Sequence, residues 1–467
     1  MVFSSIVFLY FFLPIALGAY FIAPKKAKNF VLLVTGLVFY AWGEPKYVLI
    51  MVLSCLIDYA AGLLIGKYDD RQKLRVLFLV MSLVMNIGLL CVFKYSSFLI
   101  DNINSIFGAS IKNPKLALPI GISFFTFQSM SYTIDVYRRN VKVQKNFVSF
   151  AAFVTMFPQI VAGPIVRYDD VAKELDERSI TIDKISEGIG IFLKGLSKKV
   201  ILANNIGLVW TQVKAMDYTT MSSSIAWVGI IAFAFQIYFD FSGYSDMAVG
   251  LGKMLGFNFP KNFDHPYISR SISEFWRRWH ITLGSWFKSY VYIPLGGNRG
   301  KLWATIRNLM ITWALTGLWH GASWNFVIWG LYFGVLICVE RLGFSKILEK
   351  LPRVISTAYT FVMVLFGWVL FETSTLRDCG HYLRAMLGGN RNLIDNGDVF
   401  IMTSNVVIFV LCIIGSTNAV NKAITKIRSK NIGFVSLVVP FVELALLLLC
   451  TVYLVNSTYN PFLYFRF

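Results

Sequence analysis

Apolar stretches of about 17–25 residues recur from one end of this sequence to the other, each long enough to cross a bilayer as a helix. Lipid offers the backbone no hydrogen-bond partners, so a chain that crosses it must form helices or a closed barrel. The stretches are too long for barrel strands and lack a two-residue alternation, which favours helices. Because 56% of the 467 residues are hydrophobic and only 15% are charged, most of the chain is predicted to lie in the membrane.

We therefore predict an all-α, polytopic membrane protein of roughly 10–12 membrane helices. The predicted segments are residues 4–23, 30–42, 47–66, 76–93, 116–137, 147–163, 223–248, 302–319, 324–339, 355–371, 400–416 and 434–455. Prolines near the end of 147–163 predict a broken or re-entrant helix. Charges interleave with Ile and Leu over 169–210, which predicts interfacial helices. Without an internal repeat or long linker, we expect a single integral membrane domain over 1–467.

The 44 Lys and Arg against 25 Asp and Glu give a formal charge of +19. The basic residues lie in short connections such as 25–28, 138–139 and 422–430, as the positive-inside rule predicts, so the expected partner is the lipid bilayer and not nucleic acid. The first apolar segment is followed by a basic cluster, which predicts a retained span with the N-terminus outside; the C-terminus is expected in the cytosol. Six cysteines without a CxxC pair predict no metal site.

His320 is the strongest candidate for chemistry, because an ionisable side chain is costly in such an apolar stretch. Gly317 and Gly321 clear one helix face around its ring, so that backbone or substrate can come close. Trp319 and Asn325 flank it and are candidate substrate-binding residues. The alternative is a neutral imidazole with a purely structural hydrogen bond to a neighbouring carbonyl group.

A second histidine, His280, closes the aromatic and basic run EFWRRWH. Trp276 lies on the same helical face as His280. Arg277 and Arg278 suit anion contact, for example with the phosphates of a cytosolic donor. The same composition is typical of an interfacial anchor, and both interpretations stay open.

Two carboxylates, Asp240 and Asp246, lie in the apolar segment 223–248. A carboxylate at membrane depth lines a polar path or pairs with a base, and either role can be structural. Both are candidate substrate-binding residues.

Three catalytic signatures do not occur in the sequence: the GxSxG nucleophile elbow, the HExxH zinc motif and the Walker phosphate loop. Serine hydrolysis, metalloprotease chemistry and ATP-driven transport are therefore unsupported. A histidine base without an evident protein nucleophile favours direct transfer, in which His320 takes a proton from an acceptor hydroxyl that attacks an activated acyl group.

Several long motifs in one order resemble the membrane-bound O-acyltransferases, and more narrowly the bacterial alginate O-acetyltransferase branch of that family. They are YFDFSGYSD at 238–246, EFWRRWHITLGSWFKSY at 274–290, YIPLGGNR at 292–299, LWHG at 318–321 and YNPFLYFRF at 459–467. The resemblance implies a ring of helices around a central funnel, with His320 as the catalytic residue and His280 as a second functional histidine.

The resemblance also implies an acyl thioester as substrate on the cytosolic side, either acetyl-CoA or a carrier-protein thioester, with no bound cofactor. An extracytoplasmic, acyltransferase-like or esterase-like partner protein would then deliver the acyl group to a cell-surface or exported polysaccharide. A sister branch that D-alanylates teichoic acids shares the WRRWH-like and WHG elements, but YIPLGGNR is more similar to the acetyl-transferring branch.

Two further functions remain open from the residues alone. A glycan transporter or flippase also needs many helices with buried polar groups, although no inverted repeat is visible. A scaffold that only recruits an extracellular transferase would not need His320 for activity, which a single His320 variant tests.

Overall fold

In a computed structural model of the protein, the structure describes residues 1–161, 163–430, 432–456 and 459–461. Every regular element in these ranges is a helix, and the all-α prediction is confirmed. Of the C-terminal motif at 459–467, residues 459–461 are described and residues 462–467 lie outside the described residues.

Six helices in the described part of the chain are long and apolar enough to cross a membrane, in keeping with a multi-pass membrane protein. They are Val48–Lys67, Gln72–Phe107, Ser223–Met254, Trp324–Lys350, Arg353–Glu372 and Leu437–Asn456. The pair Asn396–Ser404 and Val406–Gly415, bent by 54°, makes a seventh if it counts as one span. The other predicted segments form shorter or less apolar helices. Fewer helices than the expected 10–12 are therefore long and apolar enough to cross a membrane. The orientation of the termini stays a prediction.

The chain forms two compact units, residues 1–192 with 244–261 and residues 193–243 with 262–467. Two helices contribute residues to both units: α9 (Ile182–Ser197) and α11 (Ser223–Met254). The expectation of one domain over the whole chain stays a prediction.

The first unit contains the N-terminal helices. Its helices are α1 (Leu13–Ile22), α2 (Lys28–Gly43), α3 (Val48–Lys67), α4 (Gln72–Leu90), α5 (Ser96–Phe107), α6 (Ile122–Tyr137), α7 (Phe147–Thr155) and α8 (Tyr168–Asp176). Helix α6 is its most deeply buried element, although the sequence there is less apolar than in neighbouring spans. One of its polar side chains, Thr133, donates to the Asp58 carboxylate of α3 at 3.1 Å, and Asn86 of α4 donates to the same carboxylate at 2.8 Å.

The second unit contains both candidate histidines. Its helices are α10 (Asn204–Lys214), α12 (Ile272–Arg278), α13 (Ile281–Phe287), α14 (Leu302–His320), α15 (Trp324–Val339), α16 (Ser345–Lys350), α17 (Arg353–Glu372), α18 (Leu376–Met386), α19 (Asn396–Ser404), α20 (Val406–Gly415), α21 (Ala419–Lys430) and α22 (Ile432–Asn456). Short π-helical segments continue several helices of the chain, at Phe8–Phe12, Cys91–Tyr95, Lys198–Ala203, Lys288–Tyr292 and Glu340–Phe344.

Candidate active site

Glycines bring α14 and α15 into direct backbone contact just before His320. A Cβ atom at Gly317 would collide with the carbonyl group of Phe326, and one at Gly330 would collide with that of Trp313. Only residues without a side chain allow this approach. The close packing fixes the end of α14, and therefore His320, against the first turns of α15.

His320 is the last residue of α14 and is 3% exposed. Three aromatic rings surround its imidazole in edge-on contacts: Trp319 at 5.0 Å, Trp329 at 4.9 Å and Phe371 at 5.5 Å between ring centroids. Such a wall excludes water and lowers the local dielectric constant, which strengthens any electrostatic interaction with a bound group.

His280 lies at the junction between α12 and α13, in a backbone conformation that is rare for a residue with a side chain. Its φ of +45° falls in the left-handed region, where such residues are strained. The imidazole is 2% exposed and packs edge-on against Phe241 at 4.7 Å and against Trp319 at 6.0 Å. Trp319 thus contacts both imidazoles, and the structure brings the two predicted histidines together in one aromatic site.

The tautomer of His280 follows from its contact with Asn262. The Asn262 Oδ1 atom lies 3.1 Å from His280 Nδ1 and accepts hydrogen bonds from the Thr282 N–H at 3.3 Å and the Thr282 hydroxyl at 2.9 Å. An atom that accepts from a backbone N–H is an oxygen, so His280 Nδ1 must donate to it. The lone pair of the neutral ring is therefore on Nε2.

The neutral form of His280 is strongly favoured. Burial lowers the pKa of its imidazole well below the usual value, and the nearby His320 lowers that pKa further. A neutral imidazole with its lone pair on a defined nitrogen is able to accept a proton, which is the property that a general base requires.

Helix α12 is anchored by an acidic residue from the end of α15. Both carboxylate oxygens of Glu340 accept backbone N–H groups at the first turn of α12, from Ile272 at 2.6 Å and from Ser273 at 2.9 Å. The Ser271 hydroxyl accepts from the Glu274 N–H at 3.1 Å as the N-cap. These bonds satisfy the otherwise unpaired donors of a short helix and orient the segment that ends in His280.

A cavity of about 440 Å³ lies beside His280. Its lining combines aromatic rings with a few polar groups, including Trp276, Thr312, Thr316 and the two basic residues Arg277 and Lys288. Among the described residues that line it there is no Asp or Glu. The cavity therefore suits an apolar or anionic ligand better than a cationic one.

The two predicted arginines have different environments. Arg277 is exposed and lines the cavity. Arg278 pairs with Glu274 at 2.9 Å, with the Asp264 carboxylate at 3.7 Å and with the Asp264 carbonyl group at 3.2 Å. The guanidinium of Arg278 thus ties α12 to the preceding loop, whereas Arg277 faces the space where a ligand can bind.

Asn325, the second residue of α15, is also tied to its surroundings. Its side-chain amide donates to the Thr373 carbonyl oxygen at 2.8 Å, which links the start of α15 to the end of α17. This bond gives Asn325 a structural role close to the aromatic wall of His320, since Phe371 lies two residues before Thr373.

The predicted carboxylates differ from each other as well. Asp240 is 2% exposed and forms an ion pair with Lys199 at 2.7 Å, and Lys199 also donates to Asn204 at 2.9 Å. A buried pair of this kind holds local geometry, because losing either partner leaves an uncompensated charge. Asp246 is half-buried six residues further along α11, in the part of that helix that belongs to the first unit.

Three residues of the site were not predicted from the sequence. Asn262 holds the His280 ring, Glu340 caps α12, and Trp329 packs on His320. Glu340 carried a usable signal, since an acidic residue directly after an apolar span is costly without a partner. Asn262 and Trp329 carried none, because nothing in a single sequence pairs them with the histidines.

The sequence model of the membrane-bound O-acyltransferase family matches residues 47–371, a range that contains both histidines and the whole cavity lining. The chain is 43% identical to the probable alginate O-acetylase AlgI of Azotobacter vinelandii, over 80% of this chain and 76% of that protein. It is 35% identical to the peptidoglycan O-acetyltransferase of Helicobacter pylori, over 84% and 80%. The teichoic acid D-alanyltransferase of Bacillus subtilis is 28% identical, over 54% and 68%.

Proposed function

Since the chain belongs to the membrane-bound O-acyltransferase family, in its alginate O-acetyltransferase branch, and is an O-acyltransferase, we propose that it moves an acetyl group from cytosolic acetyl-CoA to an exported polysaccharide. The acceptor is a hydroxyl group, reached directly or through an extracytoplasmic partner protein. Relatives named for alginate and peptidoglycan O-acetylation support a polysaccharide acceptor.

The observation that carries this proposal is the pair of buried imidazoles that share contacts with Trp319, one of which, His280, lines the cavity. His320 acts as the base that removes the proton of the acceptor hydroxyl as it attacks the thioester carbonyl carbon. His280, neutral and with its lone pair on Nε2, orients the donor or assists the proton transfer. Trp319 contacts both imidazole rings and excludes water from them.

The charge of the cavity supports acetyl-CoA as the donor. Arg277 and Lys288 suit the phosphates of coenzyme A, and Trp276 suits its apolar arm. A D-alanyl group carries a positively charged ammonium. The described lining would repel it, since it contains two basic residues and no carboxylate. We therefore favour acetyl over D-alanyl transfer, and a carrier-protein thioester is the weaker candidate for the donor.

Isolated membranes with radiolabelled acetyl-CoA test the proposal, with alginate and peptidoglycan fragments as acceptors. At equal abundance in the membrane, His320→Ala should lower the transfer of label to acceptor by roughly 10²–10⁴-fold. His381→Ala on α18 is the matched control and should stay within about twofold of wild type, because this half-buried histidine does not line the cavity.

Two results would overturn the proposal. Full transfer by His320→Ala would remove the assigned base and favour the scaffold interpretation. Transfer from a D-alanyl carrier thioester, with none from acetyl-CoA, would replace the donor.

A further inference from the structure

Two tryptophans near His320 carry buried indole N–H groups that acid–base chemistry does not require. The Nε1 atoms of Trp276 and Trp329 have no hydrogen-bond partner among the residues that the structure describes. Buried indole N–H groups normally find an acceptor. Trp368, as deeply buried as Trp329, donates to the Tyr267 hydroxyl at 3.2 Å.

The positions of these two indoles connect the cavity to the base. Trp276 lines the cavity, and its ring lies 5.5 Å from that of Trp329, at an interplanar angle of 85°. The Trp329 ring in turn lies 4.9 Å from the His320 imidazole. The two indoles therefore form a continuous series of ring contacts from the cavity to the His320 imidazole.

Packing alone does not explain why both positions are tryptophan. Phe333 contacts the two rings, at 5.0 Å from Trp276 and 5.3 Å from Trp329. Such ring contacts need only an aromatic hydrocarbon, and a polar N–H buried among them is unfavourable unless it gains an acceptor. An acceptor that is present during the reaction supplies the missing reason.

We propose that the indole N–H groups of Trp276 and Trp329 bind the carbonyl oxygen of the acyl group and stabilise the negative charge that develops on it. This inference rests on the proposed function. The acceptor oxygen forms a bond to the carbonyl carbon, and its proton passes to His320. The carbon–sulfur bond breaks, its electron pair leaves with sulfur, and the thiolate takes the proton from the imidazole.

Charge on the carbonyl oxygen is greatest between these two bond changes. Fixed donors in a water-excluded site are most effective at that moment, because they need no reorganisation. The two N–H groups would therefore act on kcat more than on the binding of the ground-state donor.

The test measures kcat and KM for acetyl-CoA in the purified full-length protein in nanodiscs, with the acceptor fragment that wild type uses. Trp329→Phe and Trp276→Phe remove the N–H and keep an aromatic ring. Each should lower kcat by roughly 10²-fold with little change in KM. Replacement of Trp329 by benzothienylalanine, in which sulfur replaces the N–H at nearly equal shape, should give the same loss if the N–H is responsible.

Trp368→Phe is the matched control, since it deletes an N–H whose partner is Tyr267. It should lower the melting temperature and leave kcat within about threefold of wild type, because the lost bond is structural. If the benzothienylalanine variant at Trp329 keeps wild-type kcat, the proposed role of that N–H is refuted, whatever the Phe variant does.

The His320→Ala variant in the same assay separates the two proposals. An inactive His320→Ala protein with fully active tryptophan variants would refute the oxyanion role and leave the proposed function intact. A fully active His320→Ala protein would refute the proposed function itself.

Discussion

The contact between Asn262 and His280 makes a prediction about pH. Asn262→Asp keeps the size and shape of the side chain and still offers an oxygen to the His280 Nδ1–H, at the present distance of 3.1 Å. Thr282 provides two further donors to the same position, so a carboxylate there stays hydrogen-bonded. The main change is a negative charge in contact with the imidazole.

The size of the effect follows from that distance. An opposite charge within about 4–6 Å raises the pKa of a histidine by about 1–3 units. At 1.36 kcal/mol per unit, this corresponds to about 1.4–4 kcal/mol in favour of the imidazolium. In the wild-type protein, burial and the nearby His320 hold the pKa of His280 well below its usual range, so the ring is neutral at pH 7. The negative charge of Asn262→Asp raises the pKa of His280 and so acts against both burial and the nearby His320.

The assay is the rate of acetyl transfer at saturating acetyl-CoA between pH 5 and pH 9. In the wild-type protein, His280 should stay neutral near pH 7, and its protonation should cause no loss of activity there. In Asn262→Asp, the loss of activity at acid pH should begin about 1–3 pH units higher than in wild type. Asn418→Asp adds the same charge at an exposed position before α21 and should leave the profile unchanged.

A single result would contradict the reasoning. If Asn262→Asp is folded, active and has the pH profile of wild type, then either Asn262 does not hold the His280 ring or the protonation of His280 does not matter for transfer. Asn262→Leu gives no such information, because it leaves three buried donors without their acceptor and should destabilise the fold.

Three other predictions follow from the site. Arg277→Ala should raise the KM for acetyl-CoA several-fold with an unchanged melting temperature, whereas Arg278→Ala should lower the melting temperature, because it breaks the pairs that hold α12. Gly330→Ala should lower the free energy of unfolding by about 1–3 kcal/mol or more, because the new Cβ forces α14 and α15 apart. Gly380→Ala, where a Cβ meets nothing within 4 Å, should not lower the melting temperature. The pKa of His280 is lower in the folded protein than in the unfolded chain, so below about pH 6.5 the unfolded chain binds a proton that the folded protein does not. The free energy of unfolding should therefore fall as the pH decreases below about 6.5, by at most about 1.4 kcal/mol per pH unit, in a pH series of melting curves.

Local patterns were enough to predict the fold class and the position of His320. Apolar length marks a membrane helix without knowledge of its neighbours, and Gly317 next to an isolated histidine indicates a close helix contact. The structure confirms the helices and gives that glycine its partner, Gly330 of α15. Each of these features depends on a few adjacent residues.

The number of apolar spans was harder to predict, because burial by protein relaxes the requirement for an apolar sequence. Helix α6 carries Thr133 and other polar side chains and is nevertheless almost wholly buried. Thr133 donates to Asp58 of α3, and Asn86 of α4 donates to the same carboxylate. A hydropathy pattern does not distinguish such a helix from one that lies at the interface.

The support of the second histidine could not be predicted for a similar reason. Asn262 and His280 are 18 residues apart, and their contact depends on the left-handed backbone at His280. Glu340 reaches α12 across 68 residues of sequence. Contacts of this range appear only when the helices are packed, whereas the EFWRRWH run alone is equally typical of an interfacial anchor.

The low pKa of His280 also bears on how two histidines share one proton. Acetyl transfer from a thioester to a hydroxyl moves one proton from oxygen to sulfur and leaves no net charge, so the site needs to hold a proton only briefly. Burial makes a lasting imidazolium unfavourable, and a positive charge on His320 disfavours a second one on His280. Under the proposed mechanism, the two rings therefore carry at most one proton between them. Because burial disfavours a charged imidazole, that proton passes on to the departing thiolate, which completes the reaction.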